Sequence, residues 1–139
     1  MTPESRALVR ESWNAVGGKE EALAWAFYSD LFERAPHALK LFAHVTMQAQ
    51  RVRFSKMLTH LVGALDAGPA FESDLRALAA RHVGYGVVAA DSGYAGESLI
   101  RAFQVVLGPA FTPGMRTAWE DLYRLVARTM VAVHRADPA

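Results

Sequence analysis

Apolar residues recur at steps of three and four along most of this chain, which is the spacing of one face of an α-helix. The clearest case lies between positions 48 and 67, where one face carries Phe54, Met57, Leu58, Leu61 and Leu65. Val87-Val88 resembles a strand, but the run is too short and has no partner run elsewhere in the sequence. The pattern therefore predicts an all-α fold.

Proline and glycine mark the predicted helix boundaries. Thr2-Pro3 and Thr112-Pro113 predict helix starts, because threonine can cap a helix and proline tolerates the first helical position. Helix ends are predicted at Gly17-Gly18, Ala35-Pro36, Gly68-Pro69 and Gly108-Pro109. No segment is long and structureless enough to separate domains, so we expect residues 1–139 to form one domain around one core.

Composition narrows the class of ligand. The chain has no cysteine, which excludes disulfides, zinc fingers, thiolate-ligated iron and a cysteine nucleophile. The formal net charge is +1, and acidic and basic residues are interleaved along the chain, so the sequence shows no cluster of positive charge that would bind nucleic acid or an anionic membrane. There is neither a secretory leader nor an apolar run of membrane-spanning length, so a cytoplasmic location is expected. Small molecules therefore remain as the candidate ligands.

Three polar side chains fall on apolar helix faces. His82 follows Leu78 by four residues, Gln50 precedes Phe54 by four, and Tyr28 lies among the apolar residues of its helix. A core histidine bonded to a backbone carbonyl is the alternative interpretation of His82. Buried polar groups need hydrogen-bond partners, so three of them indicate a shared polar partner or a bound ligand.

The order and spacing of several segments carry a family resemblance. The segments are residues 27–32, Pro36 with Leu41-Phe42, Gln50, residues 80–87 and residues 96–100. Together they resemble the globin domain of bacterial flavohaemoglobins and its single-domain relatives, and they span almost the whole chain. The distance from Gln50 to His82, 82 − 50 = 32 positions, matches the spacing between that family's distal glutamine and proximal histidine.

The resemblance implies a globin fold that holds haem b. His82 matches the proximal ligand of the iron, Phe42 the aromatic residue against the haem face, and Val87 an apolar residue of the proximal pocket. Phe54 stands where the family usually has leucine. Arg53 is expected to approach a haem propionate, with a solvated arginine as the alternative.

Tyr28 and Gln50 match the family's distal pair, whose hydroxyl and amide donate hydrogen bonds to bound oxygen and slow its release. Gln48 is a rival for the glutamine position. The tyrosine and glutamate that brace the proximal histidine in the family align with Ser92 and His134, and Tyr94 lies two residues from Ser92. His134 is either a replacement for that glutamate or an ordinary residue near a helix end.

The resemblance covers only the globin domain of flavohaemoglobins, and we expect no flavin or nicotinamide domain to supply electrons within this chain. We therefore expect a non-enzymatic protein that reversibly binds oxygen, and other diatomic gases such as NO and CO, for transport, storage or sensing. It is expected to be a monomer or a weak homodimer. The alternative is a nitric oxide dioxygenase that works with a separate reductase. A third class is a helical interaction domain without haem, against which Tyr28, Phe42, Gln50 and His82 argue.

Overall fold

The computed structural model describes the backbone of residues 1–84 and 89–136. Within those ranges it describes all side chains except those of residues 79, 81–84, 89–92, 130, 131 and 133–136. The described residues form helices joined by short turns and contain no strand. The prediction of an all-α fold is confirmed, whereas Val87-Val88, which is not expected to form a strand, lies outside the described residues.

In the described part of the chain, six α-helices and two short 3₁₀ segments follow one another. The α-helices are α1 (Pro3–Val16), α2 (Glu20–Arg34), α3 (Met47–Gly63), α4 (Pro69–Gly84), α5 (Ala89–Leu107) and α6 (Pro113–Ala136). The 3₁₀ segments are Pro36–Phe42, between α2 and α3, and Gly108–Ala110, between α5 and α6.

Threonine caps set the starts of three helices. The Thr2 hydroxyl accepts a hydrogen bond from the Ser5 amide at 3.0 Å, and Thr112 accepts one from the Met115 amide at 3.1 Å, as the sequence predicts. Thr46 does the same for α3 by accepting from the Ala49 amide at 3.2 Å. This third cap fixes where the helix that carries Gln50 begins.

The end of α3 differs from the prediction. The apolar spacing predicts a helix to about position 67, but α3 ends at Gly63. The Ala64 amide bonds to the carbonyls of His60 and Leu61, so the last turn tightens, and Gly68 then reverses the chain with a φ of +62°. Leu65 is still buried, so its apolar spacing reflects packing of the turn rather than a continued helix.

The core is anchored where α6 crosses α1 and α5. The Trp119 indole nitrogen donates to the Ser12 hydroxyl at 2.6 Å, and both side chains are buried. The Phe103 ring packs against the rings of Trp119 and Phe111, with centroids 4.5 and 5.2 Å away. These contacts give the indole its hydrogen-bond partner within an otherwise apolar interior.

Polar contacts join α2 to α5 at the edge of their packed faces. The Ser98 hydroxyl donates to the Asp30 carboxylate at 2.8 Å, and Asp30 also pairs with Arg34. Arg34 in turn reaches Glu97 at 2.8 Å. This network fixes the register of α2, the helix that carries Tyr28.

The helices α3 and α4 are supported by different neighbours. Among the described residues, α3 packs chiefly against α2, whereas α4 packs chiefly against α6. One polar contact bridges them, between His60 Nε2 and Asp74 Oδ2 at 3.0 Å. The arrangement leaves room for a cavity between α3 and α4. Within the described ranges, no helix has both the length and the apolar character needed to span a membrane.

We predict that Gly96→Ala lowers the free energy of unfolding by about 1–3 kcal/mol, the usual cost of overpacking. A Cβ atom at position 96 would lie 2.4 Å from Cε1 of the Tyr123 ring, so α5 and α6 would have to separate or the ring would have to move. Urea unfolding of the parent and the variant, in the same haem state, measures the change.

Gly93→Ala on the same helix is the matched control. A Cβ there meets nothing within 4 Å, so this variant should be neutral or stabilised by up to about 1 kcal/mol, as for alanine in a helix interior. Equal effects of the two substitutions would show that the contact with Tyr123 does not constrain position 96.

Candidate functional site

Tyr28 lies at the centre of an aromatic cluster formed by α2, α3 and the 3₁₀ segment between them. Its ring meets those of Phe27, Phe42 and Phe54 edge-on, with centroids 4.9, 5.5 and 5.5 Å away. Phe32 adds a fourth ring at 5.8 Å. The Tyr28 side chain is therefore buried, and its hydroxyl requires a polar partner.

Gln50 provides that partner. Its side-chain Nε2 donates to the Tyr28 hydroxyl at 3.0 Å across the boundary between α3 and α2. Burial raises the pKa of Tyr28, while the hydrogen bond from Gln50 and the positive charge of Arg53 act in the opposite direction. Gln48 is exposed on the other side of α3, so the structure brings Gln50, and not its rival, to the tyrosine.

Arg53 continues the hydrogen-bonded chain from the interior to the surface. Its Nε donates to Gln50 Oε1 at 3.3 Å, and the side chain is exposed. Gln50 and Arg53 are three residues apart on α3, so they share one face of the helix. The predicted residues Tyr28, Gln50 and Arg53 thus form one connected polar group, with Phe42 and Phe54 packed around its inner end.

A cavity of about 260 Å³ opens between α3 and α4 beside Arg53. Seven residues line it: Arg53, Lys56, Met57, His60, Leu61, Asp74 and Leu78. The apolar lining residues are buried or half-buried, whereas the basic ones are exposed. The cavity therefore combines apolar walls with three basic side chains and the carboxylate of Asp74 at its edge, and Arg53 connects it to the polar group of Tyr28 and Gln50.

Position 82 lies one helical turn beyond Leu78 on the same side of α4. The side chains of His82, Ser92 and His134, and all of Val87, lie outside the described residues. Tyr94 is described, and its ring lies edge-on to that of His37 with centroids 6.1 Å apart.

Lys56 and the bridge between His60 and Asp74 line the cavity but were not predicted from the sequence. Lys56 and His60 follow Arg53 by three and seven residues, which is the spacing of one helix face. That spacing could have indicated that Lys56 and His60 lie on the same face as Arg53. The contact of His60 with Asp74 could not be predicted from spacing, because Asp74 belongs to another helix and only folding brings the two residues together.

Comparison with known proteins decides the family. The sequence profile described as Globin matches residues 25–130, which is well over half of the chain. The chain belongs to the globin family. This confirms the predicted globin fold, and a globin is a haem protein that binds diatomic gases.

Relatives and solved structures cover almost the full length of this globin. Neuroglobin from Dissostichus mawsoni is 29% identical over 143 residues, covering 94% of this chain and 90% of that protein. Neuroglobin from Danio rerio is 27% identical with the same coverage. A solved engineered carbene transferase, derived from a candidate nitric oxide dioxygenase of Rhodothermus marinus, superposes with a TM-score of 0.84 at 26% identity, covering 98% of this chain and 95% of that one.

The residues present fit haem. The cavity pairs the buried apolar side chains of Leu61 and Leu78 with the exposed cation of Arg53, which matches the apolar macrocycle and carboxylates of that group. A histidine stands one turn along α4 from the cavity, and imidazole is a common axial ligand of haem iron. The polar pair of Tyr28 and Gln50 supplies hydrogen-bond donors inside the aromatic cluster.

We predict that the buried phenol of Tyr28 makes the globin lose stability at alkaline pH. Below a pH of about 10, which is the ordinary pKa of tyrosine, the phenol is neutral in both the folded and the unfolded state. Above this pH the phenol ionises in the unfolded chain but stays neutral in the folded chain, because burial raises its pKa there. The free energy of unfolding should therefore fall more steeply above about pH 10 in the parent than in Tyr28→Phe.

Urea unfolding of the haem-free parent and variant from neutral pH to about pH 11 measures the two slopes. Subtracting them isolates Tyr28, because all other titrating groups are common to both chains. A stability difference that stays constant over this range would show that the phenol ionises equally readily in both states.

Proposed function

We propose that residues 1–139 form one globin domain that holds haem b and reversibly binds oxygen, and other diatomic gases such as NO and CO, for transport, storage or sensing. The observation that carries the proposal is the hydrogen bond between Tyr28 and Gln50 inside the aromatic cluster. In this pair Gln50 donates to the Tyr28 hydroxyl, so the hydroxyl hydrogen remains for a further polar partner in apolar surroundings.

The residues proposed to hold the haem come from three parts of the chain. His82 on α4 would ligate the iron, Phe42 and Phe54 would pack against the macrocycle, and Arg53 would face a propionate. Val87 is the remaining proposed contact. Haem, when bound, would supply a ferrous iron that binds a diatomic gas reversibly.

Tyr28 and Gln50 then set how long the gas stays. Both can donate hydrogen bonds, and a gas that gains partial negative charge on binding is stabilised by such donors. The four rings packed against Tyr28 make its surroundings apolar, and a hydrogen bond donated there to a bound gas would be stronger than in water. Slow oxygen release is the expected result.

We also propose that this globin is of the bacterial kind that resembles the haem domain of flavohaemoglobins. The spacing of Gln50 and His82 supports this, together with the contact between Gln50 and Tyr28. The similarity to neuroglobins extends over 94% of the chain, so it supports the haem-binding proposal but does not favour one physiological role.

We predict that His82→Ala loses most of its capacity to retain haem, because the iron would lose its proposed protein ligand. Reconstitution with haemin, followed by absorption spectra after desalting, measures the retained fraction. His44→Ala removes an exposed histidine in the turn before α3 and should retain haem as the parent does. Normal haem content and a normal ferrous spectrum in His82→Ala would remove His82 from this role.

We predict that Tyr28→Phe and Gln50→Leu each accelerate oxygen dissociation about fivefold, which corresponds to a hydrogen bond of about 1 kcal/mol. Stopped-flow displacement of oxygen by CO from the ferrous protein measures the rate. Gln48→Leu is the matched control, since it makes the same substitution on the exposed side of α3 and should leave the rate unchanged. Parental rates in both Tyr28→Phe and Gln50→Leu would refute the distal pair.

Nitric oxide dioxygenation with electrons from a separate reductase is the second candidate function. The observation that favours it is the structural similarity to a protein derived from a candidate nitric oxide dioxygenase. In this case Tyr28 and Gln50 would hold oxygen while nitric oxide enters the pocket, and nitrate would leave.

Turnover separates the two functions. If the globin is a gas carrier, we predict that it consumes about one equivalent of nitric oxide per oxygenated haem and then stops. The measurement is an electrode record of nitric oxide in excess, with NADH, oxygen and a ferredoxin-type reductase supplied. Sustained consumption that depends on the globin, and that falls in Tyr28→Phe, would establish the enzyme instead.

A further inference from the structure

The hydrogen-bonded chain that begins at Tyr28 has a direction. Gln50 Nε2 donates to the Tyr28 hydroxyl at 3.0 Å, and Gln50 Oε1 accepts from Arg53 Nε at 3.3 Å. The amide of Gln50 therefore presents its donor end to the interior and its acceptor end to the surface.

The chemistry of the guanidinium permits only this orientation. Arginine carries five N–H donors and no acceptor, whereas an amide carries a donor at one end and an acceptor at the other. Reversing the Gln50 amide would turn its NH₂ group toward Arg53, so that donor would face donor. Contact with Arg53 is therefore sufficient to select which end of the amide meets Tyr28.

The orientation decides what the Tyr28 hydroxyl can do. When Gln50 donates to it, the hydroxyl oxygen is the acceptor and the hydroxyl hydrogen remains for another partner. In the reversed orientation, Tyr28 would donate its hydrogen to Gln50 Oε1 and have none to offer a ligand. The rings of Phe27, Phe42 and Phe54, which pack against the Tyr28 ring, carry no acceptor atoms, and the described residues show no hydrogen bond donated by the Tyr28 hydroxyl.

We propose that Arg53 is a positioning residue that fixes the amide orientation of Gln50 and thereby directs the hydroxyl hydrogen of Tyr28 to the bound gas. The inference rests on the proposed function, in which Tyr28 faces that gas. In this proposal Arg53 lies at the surface and does not touch the gas, but it controls the strength of the hydrogen bond that Tyr28 donates to the gas.

Arg53 can orient the Gln50 amide and also contact a haem propionate. The Nε–H of Arg53 serves Gln50, which leaves the four N–H groups on the terminal nitrogens for a carboxylate at the mouth of the cavity. A lysine has no acceptor either, so Arg53→Lys should preserve the orientation of the amide. A glutamate accepts only, so Arg53→Glu should attract the NH₂ group of Gln50 and reverse the amide.

The test compares Arg53→Lys and Arg53→Glu with Lys56→Glu. Lys56 also lies on α3 and lines the same cavity, so Lys56→Glu reproduces the charge change of Arg53→Glu without a contact to Gln50. The first readout is the C–O stretching frequency of the ferrous CO complex, which falls when a hydrogen-bond donor points at the bound ligand.

We expect Arg53→Glu to shift this band to that of Tyr28→Phe, and to speed oxygen release toward the rate of that variant. Arg53→Lys should keep the parental band, and Lys56→Glu should move it much less than Arg53→Glu does. A parental band in Arg53→Glu, or an equal shift in Lys56→Glu and Arg53→Glu, would overturn the proposal.

The second readout needs no haem. In the haem-free chain, NMR of ¹³C-labelled tyrosine follows the ionisation of Tyr28, assigned by its absence in Tyr28→Phe. The positive charge of Arg53 itself lowers the pKa of Tyr28, so Arg53→Glu is measured both in the parent and in the Gln50→Leu background, where only this charge effect remains. A phenol that donates to Gln50 is harder to ionise than one that accepts from it, so the substitution should raise the pKa of Tyr28 further in the parent. Equal pKa changes in the two backgrounds would refute the amide reversal. A parent chain that takes up no haemin would instead remove the proposed function, so the two failures are distinguishable.

Discussion

The hydroxyl of a buried tyrosine whose ring packs among four phenylalanine rings needs a hydrogen-bond partner, and this requirement organises the contact between α2 and α3. Gln50 meets it only because α3 starts at the cap of Thr46 and crosses α2 at the level of Tyr28. The register of α2 is held in turn by the contacts of its acidic and basic residues with α5. The position of one phenol therefore depends on three helices.

The other side of the cavity is built independently. The helix that carries His82 packs on α6, which is anchored to α1 through the buried hydrogen bond between Trp119 and Ser12. Because α3 packs chiefly on α2 and α4 packs chiefly on α6, the two helices can stay in place without packing against each other, and a cavity can remain between them. The contact of His60 with Asp74 spans the gap at its exposed side. A guest between these helices would complete the packing that each of them lacks.

Several helix boundaries could be predicted from interactions between residues that are close together in the sequence. Threonine before proline predicted the starts of α1 and α6, and the residue before Pro36 marked the end of α2, since both effects act within a few residues. The end of α3 was predicted too late because Leu65 continues the apolar spacing although it lies in a turn. Apolar spacing reports which residues are buried, and it does not distinguish a last helical turn from a turn packed against the core.

The amino-acid sequence by itself determined the helical periodicity, the capped boundaries and the set of polar residues on apolar faces, because these follow from interactions between near neighbours in the chain. The match to the family's spacing from His82 favoured Gln50 over Gln48, but no local rule decided between them. The tertiary structure brings Gln50 to Tyr28 and leaves Gln48 exposed, through the way α3 packs on α2. The direction of the amide and the partner of His60 were likewise set by folding, because hydrogen bonds between helices depend on how those helices pack.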